Sequence, residues 1–232
     1  MSRRNYQVCI YCGAAQADTL DHIPPKCLFA EPRPSNLYTV PSCAACNASF
    51  ARDDEYFRTA MALRWDVSGH PAAGAIVDKA LRSTERSGGF RNLFTRTLED
   101  APIITHSGLY VEEGGRFEAD MERINRVLVR IVRGLYYKKV GTALTRSHDV
   151  FTFADELLEQ SDPRLRNQII RAWQPHVQGE SETFGNETFL FFWYVDNVKD
   201  QTCWLLVFFS RIIFFAITTA GKQPVGVART EA

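Results

Sequence analysis

Four of the six cysteines stand in two close pairs, Cys9/Cys12 and Cys43/Cys46, each with two residues between. One C-x2-C segment puts two thiolates on a tight turn. Two such turns brought together make a four-sulfur tetrahedron, which zinc fills completely. A chain that closes such a site must fold its first fifty residues around it. A single C-x2-C also serves redox chemistry, but two copies at this separation argue for metal. The chain opens Met-Ser-Arg-Arg-Asn-Tyr-Gln-Val, with no apolar run of a secretory signal behind it. Structural disulfides are therefore not expected, and a cytoplasmic location is. Cys27 and Cys203 read as free thiols, Cys203 within an apolar strand.

The spacer between the pairs, Gly13 to Ser42, is 30 residues long. Simple zinc ribbons use about 15–20. The extra length holds Thr19-Leu20-Asp21-His22-Ile23-Pro24-Pro25-Lys26 and Pro34-Ser35-Asn36-Leu37-Tyr38-Thr39-Val40-Pro41. The order C-x2-C, Asp-His-Ile-Pro-Pro, Asn-Leu, Cys-x2-Cys-Asn resembles the HNH endonucleases over about Cys9 to Arg58. That family carries a ββα-metal motif, often braced by a four-cysteine zinc. The resemblance implies that His22 is the general base, that Asp21 and Asn47 hold a divalent ion, Mg2+ or Mn2+, and that Asn36 organises the loop between two strands. It also implies DNA as substrate, with RNA as the alternative, and products with 5′-phosphate and 3′-hydroxyl ends. A double-strand break would need a homodimer or two visits, and a larger defence complex fits the family's habits. The Lys often found after the last motif position is absent. Arg52 or Arg58 would do its phosphate work, with Lys26 beside the base.

The chemistry is coherent from the residues themselves. Phosphodiester hydrolysis needs a base, an in-line nucleophile and positive charge near the leaving oxygen. A hard cation on one carboxylate and one amide oxygen keeps positions open for phosphate and water. Histidine suits the base role at neutral pH. A zinc with four cysteine ligands has no open position, so two metal sites are expected, one structural and one catalytic. Thr19–Ile23 and Leu37–Val40 read as strands, and a helix follows from Ala44. One tension is built in, because adjacent strand residues face opposite ways while Asp21 and His22 are asked to serve one site. Asp53-Asp54-Glu55 reads as a solvated helix face.

The remainder divides in character. The chain carries 27 basic and 27 acidic side chains, so no uniformly basic coat exists and an anion-binding surface must be local. Arg123 to Arg146 holds seven basic residues and no acidic one. Arg123, Arg126, Arg130 and Arg133 form one stripe of a helix, and Ile124, Val127, Leu128, Ile131 and Leu135 an apolar one. The arginine stripe offers either phosphate contacts or partners for nearby carboxylates. Glycines between Ser68 and Gly89 mark loops around a helix near Ala75–Arg86. Glu112-Glu113-Gly114-Gly115 reads as a hairpin turn. Helices are expected over Asp149–Gln160 and from Asp162-Pro163 to Trp173, and a loose tail after Gly221. Glu187–Asp196, Gln201–Phe209 and Arg211–Thr219 read as three aromatic-rich strands whose two apolar faces argue for burial. The run from Cys203 to Ile217 contains Arg211 and is too short to span a bilayer.

These readings give an α+β protein: a zinc-braced ββα-metal module over residues 1–67, then an accessory region over 68–232 with helices followed by an antiparallel sheet. The leading function is a divalent-metal-dependent endonuclease. The alternatives are a catalytically silent zinc-stabilised binding module, or a nuclease subunit active only within a complex.

Overall fold

The computed structural model describes residues 7–105, 107–145, 147–155, 164, 167, 181–196 and 201–220. Strands β1 (Thr19–Ile23) and β2 (Tyr38–Ser42) form an antiparallel hairpin in which Asp21 faces Val40 and His22 faces Thr39. Helix α1 (Ala44–Ala62) starts at the second cysteine pair. The Cys43 sulfur accepts from the Cys46 amide, and the Asp18 carboxylate accepts from the Ala44 amide at 2.7 Å. A carboxylate there meets the positive end of the helix. Helix α2 (Pro71–Arg86) has proline in its first turn, where no amide hydrogen is needed. Helix α3 (Gly88–Thr95) follows, with Ser87 as its cap. Gly88 and Gly89, read from sequence as loop, are its first residues.

Strands β3 (Glu99–Ile104) and β4 (Tyr110–Arg116) pair antiparallel. The turn expected at Glu112–Gly115 is therefore corrected: these residues lie inside β4, and the strands join between Ile104 and Tyr110. A Cβ on Gly114 would meet the Ile103 side chain at 2.6 Å, and one on Gly115 would meet Leu98 at 2.9 Å. The two glycines make room for neighbouring side chains and do not turn the chain.

Helix α4 (Met121–Val140) is capped by Asp120 and ended by Gly141, whose φ of 82° suits a residue without a Cβ. Five strands then make one antiparallel sheet in the order β5-β9-β8-β7-β6: β5 (His148–Ala154), β6 (Ser181–Phe184), β7 (Phe189–Asp196), β8 (Gln201–Phe208) and β9 (Ile212–Ala220). The helix expected over Asp149–Gln160 is a strand as far as Ala154. Val150, Phe151, Thr152 and Phe153 favour extended backbone, and β9 offers them a free edge. Strand β6 was not foreseen. The expected helix from Asp162 to Trp173, the turn after Asp196 and the tail after Gly221 fall largely or wholly outside the described residues.

The three aromatic strands form as read. Their inner face (Phe189, Phe191, Trp204, Leu206, Phe208, Phe214) packs with Ile23, Leu28, Val40, Tyr56 and Phe57 of the N-terminal segment and with Leu128 and Ile131 of α4 in one buried cluster. The core thus runs continuously across residues 67 and 68. Cys203 and Phe215 centre a smaller cluster of their own. Among the described residues no helix is long and apolar enough to cross a membrane.

Candidate metal and catalytic centre

The first knuckle is held by backbone bonds. The Gly13 amide donates to Cys9 O at 2.9 Å, and the Ile10 amide donates to Pro41 O, which ties the knuckle to β2. The second knuckle opens α1. The four sulfur atoms of Cys9, Cys12, Cys43 and Cys46 lie within 4.8 Å of one another. Ligands about 2.3 Å from a tetrahedral zinc stand roughly 3.8 Å apart, so the set fits. The Ala14 and Ala15 amides bring the Cys12 thiol down to about 6, a thiolate at neutral pH. Burial and the neighbouring thiols push Cys46 up. A bound cation relieves that crowding. The four cysteines are positioned to bind a metal ion.

Asp21 and His22 leave β1 on opposite faces. Asp21 is 6% exposed. Its Oδ2 accepts from the Tyr11 hydroxyl at 2.6 Å and lies 3.4 Å from Arg130 Nε. Its Oδ1 takes no hydrogen bond among the described residues. His22 is half-buried and also makes none, which leaves its ring nitrogens open. Burial holds the imidazole below its ordinary value, with Lys26 and Arg33 adding in the same direction and Asp21 opposing. Asn47, in the first turn of α1, donates from Nδ2 to Thr19 Oγ1 and Leu20 O, both at 3.3 Å. Its amide nitrogen is thereby fixed on β1, and its Oδ1 takes no hydrogen bond among the described residues. Asn36 lies in the β1–β2 connection, but its side chain donates to Thr183 O of β6. It ties that connection to the far sheet.

The acidic run after the second knuckle is not a solvated face. Asp53 is bound by Arg123 and Arg126, with contacts of 2.7–3.1 Å. Asp54 lies 2.6 Å from Arg130 Nη2. Burial pushes the Asp54 carboxyl up to about 6 against the pull of Arg130, with the neighbouring Asp21 and Asp53 charges adding to the rise. Both carboxylates in turn hold Arg130 charged against its burial. Arg130 is 3% exposed and stacks over Phe50, 4.5 Å from the ring centre. Arg133 donates to Leu144 O and His148 O. Arg123, Arg126 and Arg130 thus face the N-terminal module, Arg133 faces the segment that follows α4, and all four are engaged within the chain.

Arg58 is buried between α1 and α2, donating to Ser83 Oγ at 2.6 Å. Arg52 and Lys26 are exposed. Tyr11, Asp18 and Asp54 are site residues that sequence reasoning missed. Asp54 had a signal, since it lies two helical turns after Asn47 and so on the same face. Compared with known proteins, the chain matches no family model, no curated protein and no solved structure.

Proposed function

We propose that the chain is a divalent-metal-dependent endonuclease with His22 as general base. One observation carries this reading. On a hairpin pinned to a helix by a metal-ready cysteine cluster, Asp21, His22 and Asn47 are each fixed at one atom or by the backbone and left open at another. Tyr11 and Arg130 orient the Asp21 carboxylate through Oδ2. Thr19 and Leu20 orient the Asn47 amide through its nitrogen. Such orienting contacts are what a ligand set requires. Asp21 Oδ1 and Asn47 Oδ1 would hold Mg2+ or Mn2+. When bound, that ion supplies positive charge for the phosphate and its departing oxygen. His22, uncharged at neutral pH, takes the proton of the attacking water. DNA is the substrate to test first.

A second reading has its own observation. Asp21 is deeply buried and already neutralised by Arg130, as in a module that binds and does not cut. Cleavage of supercoiled plasmid separates the two. Nicking with Mg2+ or Mn2+, abolished by EDTA and by His22→Ala, supports the nuclease. A folded, zinc-loaded protein that leaves both plasmid and single-stranded RNA intact with either ion supports the silent module.

A further inference from the structure

A cavity of about 530 Å³ lies between α1, the junction of α2 and α3, and the start of α4. Arg52, Arg86 and Arg123 line it from three different helices, with Glu55, Ser83 and Ser87 between them. Arg123 is fixed by Asp53 and Asp120. Arg52 and Arg86 make no hydrogen bond or ion pair among the described residues. The charge of Glu55 is already met by Arg58, 3.8 Å away. Arg58 is 4% exposed behind the wall, its Nη2 on Ser83 Oγ and its Nε without an acceptor. Four guanidinium groups thus gather at one concavity with a single carboxylate on its wall. The first turn of α3 opens there too and adds its partial positive charge. Arg86 also suits the end of α2, but no carboxylate accounts for Arg52. Arg123 and Arg58 already have carboxylate partners, so Arg52 and Arg86 are the two charges on the wall that no carboxylate among the described residues meets.

We infer that this cavity holds a backbone phosphate of a nucleic-acid strand. The inference rests on the nuclease reading for its choice of polyanion, and it adds where that strand runs. Arg52 and Glu55 lie five and eight residues beyond Asn47, roughly 8–12 Å along α1. Charges on one DNA strand recur about every 3.4 Å along the axis. The phosphate in the cavity is therefore a flanking one, separate from the one beside His22.

The test is binding without cleavage. Affinity for a short fluorescent duplex is measured in EDTA across a salt series, for the full chain, Arg52→Gln, Arg86→Gln and the double variant. Both arginines are exposed, so the fold should hold, which thermal melting checks. Each substitution is expected to weaken binding and to lower the slope of log affinity against log salt by about 1, the pair by about 2. Arg116→Gln, away on β4, should leave the slope unchanged. Unaltered affinity and slope in both single variants would overturn the assignment, even if plasmid is cut. A lost slope with no plasmid cleavage would keep the site and sink the nuclease. A mononucleotide that binds as tightly as the duplex and loses this in Arg86→Gln would make the cavity a small-phosphate site and overturn the strand assignment.

Discussion

Arg130 of α4 is held between two carboxylates and a ring: Asp21 on one side, Asp54 on the other, Phe50 beneath. Removing one partner of a buried ion pair leaves uncompensated charge, at a cost of about 3–5 kcal/mol. Arg130→Met should lose about that much stability in urea unfolding. Tyr11→Phe takes away a single hydrogen bond to the same oxygen and should cost about 1–3 kcal/mol. If Arg130→Met unfolds at the wild-type midpoint, the pairing does not hold Asp21. The cysteine cluster was legible because its chemistry is written in short spacings. The partners of Asp21 were not. Tyr11 carries no motif, and Arg130 sits on an arginine stripe that is equally compatible with phosphate. Only packing shows which carboxylates lie opposite.

Elements depend on these contacts in ways that local sequence only half reveals. The α1 helix was readable from its start at Ala44, and α4 from its two stripes. Strand β5 was not, because its pairing partner β9 lies far along the chain and the short run His148–Ala154 does not separate helix from strand by period alone. Gly134 of α4 was also silent. A Cβ there would stand 2.4 Å from Ile23 Cγ1, and Ile23 is fully buried. Gly134→Ala should therefore push β1 away from the helix and cost about 1–3 kcal/mol by overpacking, read in thermal unfolding. At the knuckles, Cys43→Ser removes one of the four sulfurs positioned for metal but leaves a hydroxyl able to cap α1. One zinc per chain is expected by elemental analysis of the wild type and none of the variant. Chelation should lower the melting temperature of the wild type and leave Cys43→Ser unmoved. A wild-type chain that purifies folded and metal-free would refute the zinc assignment.

Across the molecule, a second polar node binds parts distant in sequence. Glu182 of β6 accepts from Tyr38 of β2 and from Lys139 of α4. Burial alone would raise its carboxyl, but these two donors hold it below its ordinary value. A depressed acid stabilises the fold above its unfolded value, near 4.5, and loses that contribution as the pH falls through the folded value. Stability should thus drop below pH 4.5, and Glu182→Gln should flatten that part of the profile. The α+β class and the order of parts were readable; the continuity of the core across residues 67 and 68 was not. Periodicity reports which face of an element is buried and does not name what buries it. The reach of α4 into the hairpin also bears on synthesis. Asp21 leaves the ribosome about a hundred residues before Arg130, an interval of roughly 5–20 s. For most of it, once Cys46 has followed, the four cysteines are all available for metal, while the carboxylate beside His22 has no counter-charge from Arg130. The nascent N-terminal segment can therefore gather its four cysteines before it is finished, and its completion is timed by the arrival of one helix.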